Sequence, residues 1–183
     1  MTGREIIQAP SSEIREAFES WLATAYRAGV RLVVLEGLTG AGKTTLLKYP
    51  FPVGAGRSLH IEIDEFCRQE IPLKGVIYCE SVDRQTLQAK LRAGLASRAP
   101  VIVVEGPLAW PLIEPLVEVT RDRIRRVYLK RMMHLKPDFW IDEDYLTNPN
   151  HWPPTDFHRS IYQYHAERQP WLDADLVLER IED

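Results

Sequence analysis

Residues 37–44 read Gly-Leu-Thr-Gly-Ala-Gly-Lys-Thr, and this stretch decides the predicted fold. It follows Leu32-Val33-Val34-Leu35, an apolar run typical of a short buried strand. It leads directly into residues 45–49, Thr-Leu-Leu-Lys-Tyr, which predict one or two turns of helix. A strand, a loop with the spacing G-x-x-x-x-G-K-T and then a helix form the context of a phosphate-binding loop.

Each residue type in this loop has its own chemical reason. Glycines let the backbone wrap close to phosphate oxygens so that successive N–H groups point inward. The start of the helix adds unpaired N–H donors and a partial positive charge. Lys43 is predicted to reach the β- and γ-phosphates, and the Thr44 hydroxyl to ligate Mg²⁺. The alternative, a plain strand-to-helix turn, is disfavoured by the intact motif in this context. The predicted nucleotide-binding residues are Gly37, Leu38, Thr39, Gly40, Ala41, Gly42, Lys43, Thr44 and Thr45.

The composition is that of an ordinary globular protein. The chain has 183 residues, 45% hydrophobic and 27% charged, which fits one domain over 1–183 with a sizeable core. The net charge of −3 argues against non-specific nucleic-acid binding but leaves a local basic patch open. Cys67 and Cys79 are too few for a disulfide framework, which indicates a reducing compartment. Without a signal peptide or an apolar run of ~18 residues, we expect a cytoplasmic protein that does not enter membranes, either a monomer or a homodimer.

Strands alternate with helices along the rest of the chain. A helical lead-in is predicted over 11–28, capped by Ser11 or Ser12. Later helices are predicted to start at Ser81 or Asp83 and to cover 110–119, 131–136 and 157–167. The predicted strands cover 59–63, 101–104, 125–130 and 175–179. This alternation implies an α/β protein with a three-layer P-loop NTPase fold, a mostly parallel sheet of about five strands with helices on both faces. Residues 137–157 are predicted to be irregular, and 131–160 to form a lid or substrate region.

Two carboxylates follow predicted strands. Asp64 comes at the end of 59–63, and Glu105 ends 101–104. Ligands of open α/β sheets collect outside the carboxyl ends of the strands, so we expect both side chains to face the nucleotide, with the Asp64 strand next to that of the loop. Thr44, Glu105 and Asp64 form the predicted Mg²⁺ site, in which Glu105 acts directly or through water. Asp64 is also the predicted acceptor of a substrate hydroxyl proton. The alternatives are an ordinary surface carboxylate for Glu105 and a turn cap for Asp64.

A cation is expected to stabilise the charge on the transferring phosphoryl oxygens. Arg131, just after the fourth predicted strand, is the first choice for this catalytic role. Arg125, Arg126, Arg159 and Arg168 compete with it. Each of these arginines is also interpretable as a solvated or ion-paired surface residue.

Short motifs spread over most of the chain resemble a known family. They are Glu36-Gly37 with Gly40-Ala41-Gly42-Lys43-Thr44-Thr45, Ile63-Asp64-Glu65-Phe66, Glu80-Ser81-Val82-Asp83, Val103-Val104-Glu105-Gly106 and Ala174-Asp175-Leu176-Val177-Leu178. In this order they resemble the uridine kinase and phosphoribulokinase-like branch of the P-loop kinases. The resemblance implies that ATP and Mg²⁺ are used to phosphorylate a hydroxyl of a small molecule, which is nucleoside-, sugar- or vitamin-like. It also implies that Asp64 is the base and that Thr44 and Glu105 lie near Mg²⁺.

The chain departs from this family in places that concern the acceptor. Residues 98–100 lead directly to Val101, without the insertion in which uridine kinases carry a Tyr-Asp pair that helps hold the nucleoside. The arginine-rich lid helix is reduced to Lys130-Arg131, and Pro50 cuts the helix after the loop. The segment 64–68, followed by Pro72, also resembles zeta-toxin and chloramphenicol phosphotransferase-like kinases.

Two other functions stay open. One is a nucleotide-dependent ATPase switch, although a GTPase would need an Asn-Lys-x-Asp motif, which the sequence lacks. AAA-type ATPases usually carry paired acidic residues where this chain has Glu105-Gly106. The other is a kinase acting on a nucleic acid or another macromolecule, with the aromatic residues of 139–152 stacking on a base. We prefer the interpretation in which these aromatic residues pack on the core or close over ATP.

Overall fold

The structure, a computed structural model, describes residues 4–68 and 75–182. Its strands are β1 (Glu5–Pro10), β2 (Leu32–Glu36), β3 (Pro52–Val53), β4 (Gly56–Arg57), β5 (Leu59–Glu62), β6 (Ile102–Glu105), β7 (Ile124–Met133), β8 (Lys136–Trp140) and β9 (Leu176–Ile181). Its α-helices are α1 (Ile14–Arg27), α2 (Lys43–Leu46), α3 (Tyr78–Ser81), α4 (Arg84–Ala96), α5 (Ala109–Ile113), α6 (Glu143–Thr147) and α7 (Asp156–Arg168). Short 3₁₀ turns cover Ile63–Phe66, Glu114–Leu116, Arg121–Arg123 and Pro149–His151. The predicted loop at Pro72 lies outside the described residues.

A seven-stranded sheet organises these elements. Strands β1, β9, β7, β2, β6 and β5 lie side by side in this order and are parallel, while β8 is antiparallel to β7. Strand β2, which precedes the glycine loop, therefore lies between β6 and β7. Strands β3 and β4 form a separate small hairpin. The mostly parallel α/β sheet predicted from the sequence is confirmed.

The sheet is buried on both faces because its central strands are apolar throughout. Every residue of β2 and β6 is buried. Alternate residues pack in opposite directions: Leu32 and Val34 contact one hydrophobic cluster, and Val33 and Leu35 contact another. The first cluster includes apolar side chains from α4, α5 and α7, and the second includes those from α1 and α2. Helices thus cover both faces, which is why these strands lack a polar side.

The edges and extensions of the sheet correct the predicted strand count. The sheet has seven strands instead of about five, because residues 5–10 and 136–140 add β1 and β8. Residues 131–136 do not form the predicted helix. Strand β7 continues to Met133 and turns back into β8, with Met132 opposite Trp140. The extension is stable because β9 pairs with it as far as Met132, which gives its backbone the hydrogen bonds that a helix would otherwise supply.

The predicted helices are present with altered ends. Helix α1 begins at Ile14, and the Ser11 hydroxyl donates to the Ile181 carbonyl at 2.9 Å instead of capping the helix. Asp83 caps α4 as predicted, accepting from the backbone N–H groups of Gln85 and Thr86. The helix predicted over 110–119 is the shorter α5 followed by a 3₁₀ turn that contains Pro115. Within the described ranges, no helix is both long and apolar enough to cross a membrane.

Candidate functional site

The glycine loop (residues 37–42) joins β2 to α2 at the carboxyl edge of the sheet. Gly40 and Gly42 have φ values of +81° and +93°, a region that side chains other than glycine rarely adopt. A Cβ atom on Gly37 would lie 2.7 Å from the carbonyl oxygen of Leu129, which is too close for any side chain. The loop thus depends on its glycines for both backbone conformation and packing against β7.

Lys43 is held inside this loop. Its Nζ donates to the carbonyl oxygens of Gly37 at 2.9 Å and Leu38 at 3.1 Å. Burial lowers the pKa of Lys43, and the negative charges of Glu105 and Asp64 oppose that lowering. The side chain therefore supplies a cation that the loop itself orients.

Thr44 lies against carboxylates from two neighbouring strands. Its hydroxyl oxygen lies 2.9 Å from Glu105 Oε1 and 3.4 Å from Glu62 Oε1. Glu62 and Glu105 are register partners on β5 and β6, so their side chains point to the same face of the sheet. Burial raises the pKa of both carboxyl groups, and the charge of Asp64 adds to the rise in each. A cation between them would relieve this repulsion.

The structure also limits how a metal ion can bind here. Among residues 4–68 and 75–182, no three His, Cys, Asp or Glu side chains form a group able to hold a metal ion by themselves. Mg²⁺ retains several waters and takes phosphate oxygens in nucleotide sites. The residues that fit such an ion are Thr44 and Glu105, with Glu62 beside them.

Asp64 lies in the 3₁₀ turn that follows β5. Strand β6 separates β5 from β2, so the expectation that the Asp64 strand is next to the strand of the loop is wrong. Asp64 nevertheless faces the loop, because both line one cleft of about 320 Å³. The lining residues of that cleft are Thr39, Gly40, Gly42, Lys43, Thr44, Thr45, Asp64, Glu105 and Pro107.

Tyr78, which the sequence analysis did not select, holds one oxygen of Asp64. The buried Tyr78 hydroxyl donates to Asp64 Oδ1. Burial, together with the charge of Asp64, raises the pKa of Tyr78, so the hydroxyl stays protonated and keeps donating. The Tyr78 backbone N–H donates to Ser160 Oγ at 3.0 Å, and its ring packs on Phe157 of α7. Helix α7 therefore fixes the position of the Asp64 partner.

Two arginines flank the loop on its other side. Arg131 on β7 donates through Nε and Nη2 to the buried carboxylate of Asp142. Arg180 is its register partner on β9 and pairs with Glu182. A Cβ atom on Gly40 would lie 3.9 Å from Arg131 Nη1, and one on Gly42 would lie 2.9 Å from Arg180 Cζ. Both guanidinium groups thus lie beside the loop, although neither lines the cleft.

The competing arginines lie elsewhere. Arg126 is buried, pairs with Glu36 at 3.5 Å and lines a separate cleft with Arg168. Arg125 pairs with Asp175 at 3.9 Å, and Arg159 is exposed on α7. Of the five candidates, Arg131 is the one whose guanidinium the structure brings to the glycine loop.

Buried hydrogen bonds support the floor of the site. Glu36, which directly precedes the loop, accepts from the Trp110 N–H at 3.1 Å and the Tyr164 hydroxyl at 2.9 Å. His165 Nε2 lies 2.8 Å from the Pro107 carbonyl oxygen, and its Nδ1 lies 2.9 Å from the Tyr128 hydroxyl. Because a carbonyl only accepts, Nε2 carries the proton and Nδ1 accepts from Tyr128. Burial lowers the pKa of His165 to about 3, which keeps the ring neutral.

The aromatic residues of 139–152 divide between the core and the surface. Trp140 is buried and packs edge-on against Trp171, with ring centroids 4.8 Å apart. Phe139 and Tyr145 remain exposed. Packing on the core thus accounts for Trp140.

Comparison with known proteins gives no relative: no protein-family model matches the chain, and no curated protein matches it significantly. Because an α/β fold hosts many unrelated activities, functional inference has to start from the site.

Proposed function

We propose that the protein is a kinase that uses ATP and Mg²⁺ to phosphorylate a hydroxyl group of a small molecule, which is nucleoside-, sugar- or vitamin-like. The observation that carries this proposal is the shared cleft, in which the glycine loop, Lys43, Thr44, Glu105 and Asp64 converge. We also propose, from the motifs alone, that the loop is a P-loop and that the chain is related to the uridine kinase and phosphoribulokinase-like branch.

The loop and Lys43 are the parts that would bind phosphate. Gly40 and Gly42 have the left-handed conformations in which successive backbone N–H groups are able to converge on an anion. Lys43 adds a buried positive charge, which interacts with phosphate more strongly than an exposed lysine does because water screens it less. Together they favour a polyphosphate over an uncharged ligand.

Thr44 and Glu105 are the residues that would hold Mg²⁺, with Glu62 close by. When bound, Mg²⁺ neutralises charge on the β- and γ-phosphate oxygens. Glu105 and Glu62 contribute by fixing the hydroxyl of Thr44 between them. The raised pKa values of these carboxyl groups reflect the burial and repulsion that a divalent cation would offset.

Asp64 is the residue that would receive the acceptor proton. In the transfer, the acceptor oxygen bonds to the γ-phosphorus while the bond to the bridging oxygen of ADP breaks, and the hydroxyl proton moves to Asp64. Tyr78 occupies Asp64 Oδ1, which leaves the second oxygen for the acceptor. Phosphoryl transfer depends more on positioning than on basicity, so an ordinary carboxylate suffices.

Calorimetric titration of the purified protein with ATP, in the presence and absence of Mg²⁺, tests the proposal. We expect magnesium-dependent binding that Lys43→Met weakens by about a hundredfold, because the variant loses a buried charge-assisted contact to phosphate. Lys48→Met is the matched control, since Lys48 is exposed beyond the end of α2, and it should change the affinity by less than about twofold. Absence of magnesium-dependent affinity for any nucleoside triphosphate would overturn the proposal.

An acceptor screen with γ-labelled ATP then identifies the reaction. Nucleosides, sugars and vitamins test the proposed small-molecule class, and nucleic-acid ends test the macromolecular alternative. ATP hydrolysis without any acceptor, stimulated by a partner protein, would instead support an ATPase switch.

A further inference from the structure

Arg131 and Arg180 form an unusual pair for a parallel sheet. They are register partners on β7 and β9, so their positive side chains leave the same face at neighbouring positions. Like charges at such positions repel one another and destabilise the sheet. Each guanidinium has its own carboxylate, Asp142 for Arg131 and Glu182 for Arg180. Both nevertheless lie at the same place, beside the glycine loop.

Arg180 makes the closer approach to the loop. Its guanidinium lies against Gly42, where a Cβ atom would come within 2.9 Å of Cζ and 3.3 Å of Nη2. Its side chain is 15% exposed, and its Nε is buried without a hydrogen-bond partner among the described residues. A buried donor of this kind destabilises the protein unless a ligand or water satisfies it. Arg180 therefore has unused hydrogen-bonding capacity next to the loop.

We infer that Arg180 is a phosphate-binding residue of the nucleotide site, contacting the α- and β-phosphates from the flank opposite the carboxylates. This inference rests on the proposed kinase function. The planar guanidinium forms paired hydrogen bonds to phosphate oxygens as readily as to a carboxylate, so a bound nucleotide replaces Glu182 as its partner.

The charge distribution assigns the phosphates that Arg180 contacts. Thr44, Glu62 and Glu105 lie on the β5–β6 side of β2, where the cation and the terminal phosphate belong. Arg180 lies on the opposite side, beyond β7. A triphosphate that extends across Gly42 therefore directs its nucleoside-proximal phosphates to Arg180.

Titrations with Mg²⁺-ATP, Mg²⁺-ADP and tripolyphosphate test this inference. Arg180→Met should weaken ATP and ADP binding to a similar extent, by about tenfold, because it removes a charge-assisted contact common to both. Arg180→Lys keeps the charge and should recover part of this affinity, although lysine cannot reproduce the paired geometry. Arg125→Met is the matched control, since Arg125 is also an ion-paired arginine of the sheet but lies away from the loop. It should change the affinities by less than about twofold.

The outcomes separate this inference from the proposed function. A wild-type protein without affinity for ATP would overturn the function itself. Wild-type binding that Arg180→Met and Arg125→Met leave equally strong would overturn the role of Arg180 alone. A loss confined to ATP would contradict the assignment to the α- and β-phosphates. Equal losses in Arg180→Met and Arg180→Lys, with a lower unfolding temperature than Arg125→Met, would show that Arg180 only packs against the loop.

Discussion

The two flanks of the glycine loop differ in charge and in how that charge is compensated. On the β5–β6 flank, Glu62 and Glu105 share the hydroxyl of Thr44, and Lys43 supplies the nearby positive charge. On the β7–β9 flank, Arg131 and Arg180 are each paired with a carboxylate. The acidic flank therefore lacks cations, whereas the basic flank has its anions already. This difference teaches that a ligand carrying both a divalent cation and several phosphates satisfies both flanks at once.

The largest expected effect tests the acidic flank. Asp64→Asn should lower turnover by about a thousandfold, because an amide cannot take the acceptor proton. The affinity for Mg²⁺-ATP should change by less than about threefold, since the loop and Lys43 stay intact. Steady-state kinetics combined with calorimetry measures both quantities. Unchanged turnover would remove Asp64 from the mechanism and leave the acidic flank as a metal site only.

A second prediction concerns the support beneath the acidic flank, where neutral His165 holds the Pro107 carbonyl. The folded-state pKa of His165 is lowered to about 3 from its ordinary 6.5, so the unfolded state binds the proton more readily. The stabilisation is complete above the unfolded pKa and is lost as the pH falls from about 6.5 toward 3. Between about pH 7 and pH 5, the wild-type protein should lose ~2 kcal/mol that His165→Gln does not lose.

Urea unfolding of both proteins at each pH measures this difference. The comparison of the two pH dependences removes the contributions of Glu36 and Glu105, whose raised pKa values act in the opposite direction in both proteins. Glutamine retains an amide donor for the carbonyl but does not titrate. Parallel stability curves would contradict a buried neutral histidine.

The smallest expected effect sharpens the role of Tyr78. Tyr78→Phe should lower turnover by about tenfold, because Asp64 loses the hydroxyl that orients it. In the Asp64→Asn background the same substitution should have little further effect, since the two side chains act as a unit. Tyr164→Phe is the control, as it also removes a hydroxyl donated to a carboxylate, that of Glu36. Additive effects of Tyr78→Phe and Asp64→Asn would show that Tyr78 only fills the core.

The sequence predicted the parts of the fold that depend on local pattern. Strands β2 and β6 were recognisable because they are apolar on both faces, and Asp64 and Glu105 because each ends such a strand. Glu62 was missed, although it precedes Asp64 by two positions and alternation along a strand puts it on the same side. That spacing was the available signal.

The parts that were missed depend on long-range pairing. Strands β1 and β8 exist because β9 and β7 supply their hydrogen bonds, and nothing in residues 5–10 or 136–140 specifies those partners. Arg180 reaches the loop because β9 pairs with β7 in one particular register. Tyr78 reaches Asp64 through the packing of α3 on α7. Such contacts are properties of the assembled sheet and are not encoded within any one segment.

Helix α2 ends at Leu46, after a single turn, and its shortness has an electrostatic consequence. The macrodipole of a helix grows by aligning many peptide units, so one turn supplies little field of its own. Arg15, which donates to the carbonyls of Leu46 and Tyr49, also offsets the negative end of that turn. Attraction of an anion to the loop must then come mainly from discrete lysine and arginine charges. Such attraction is screened by added salt to the extent that these charges are exposed, so ionic strength becomes a direct gauge of how deeply they are buried.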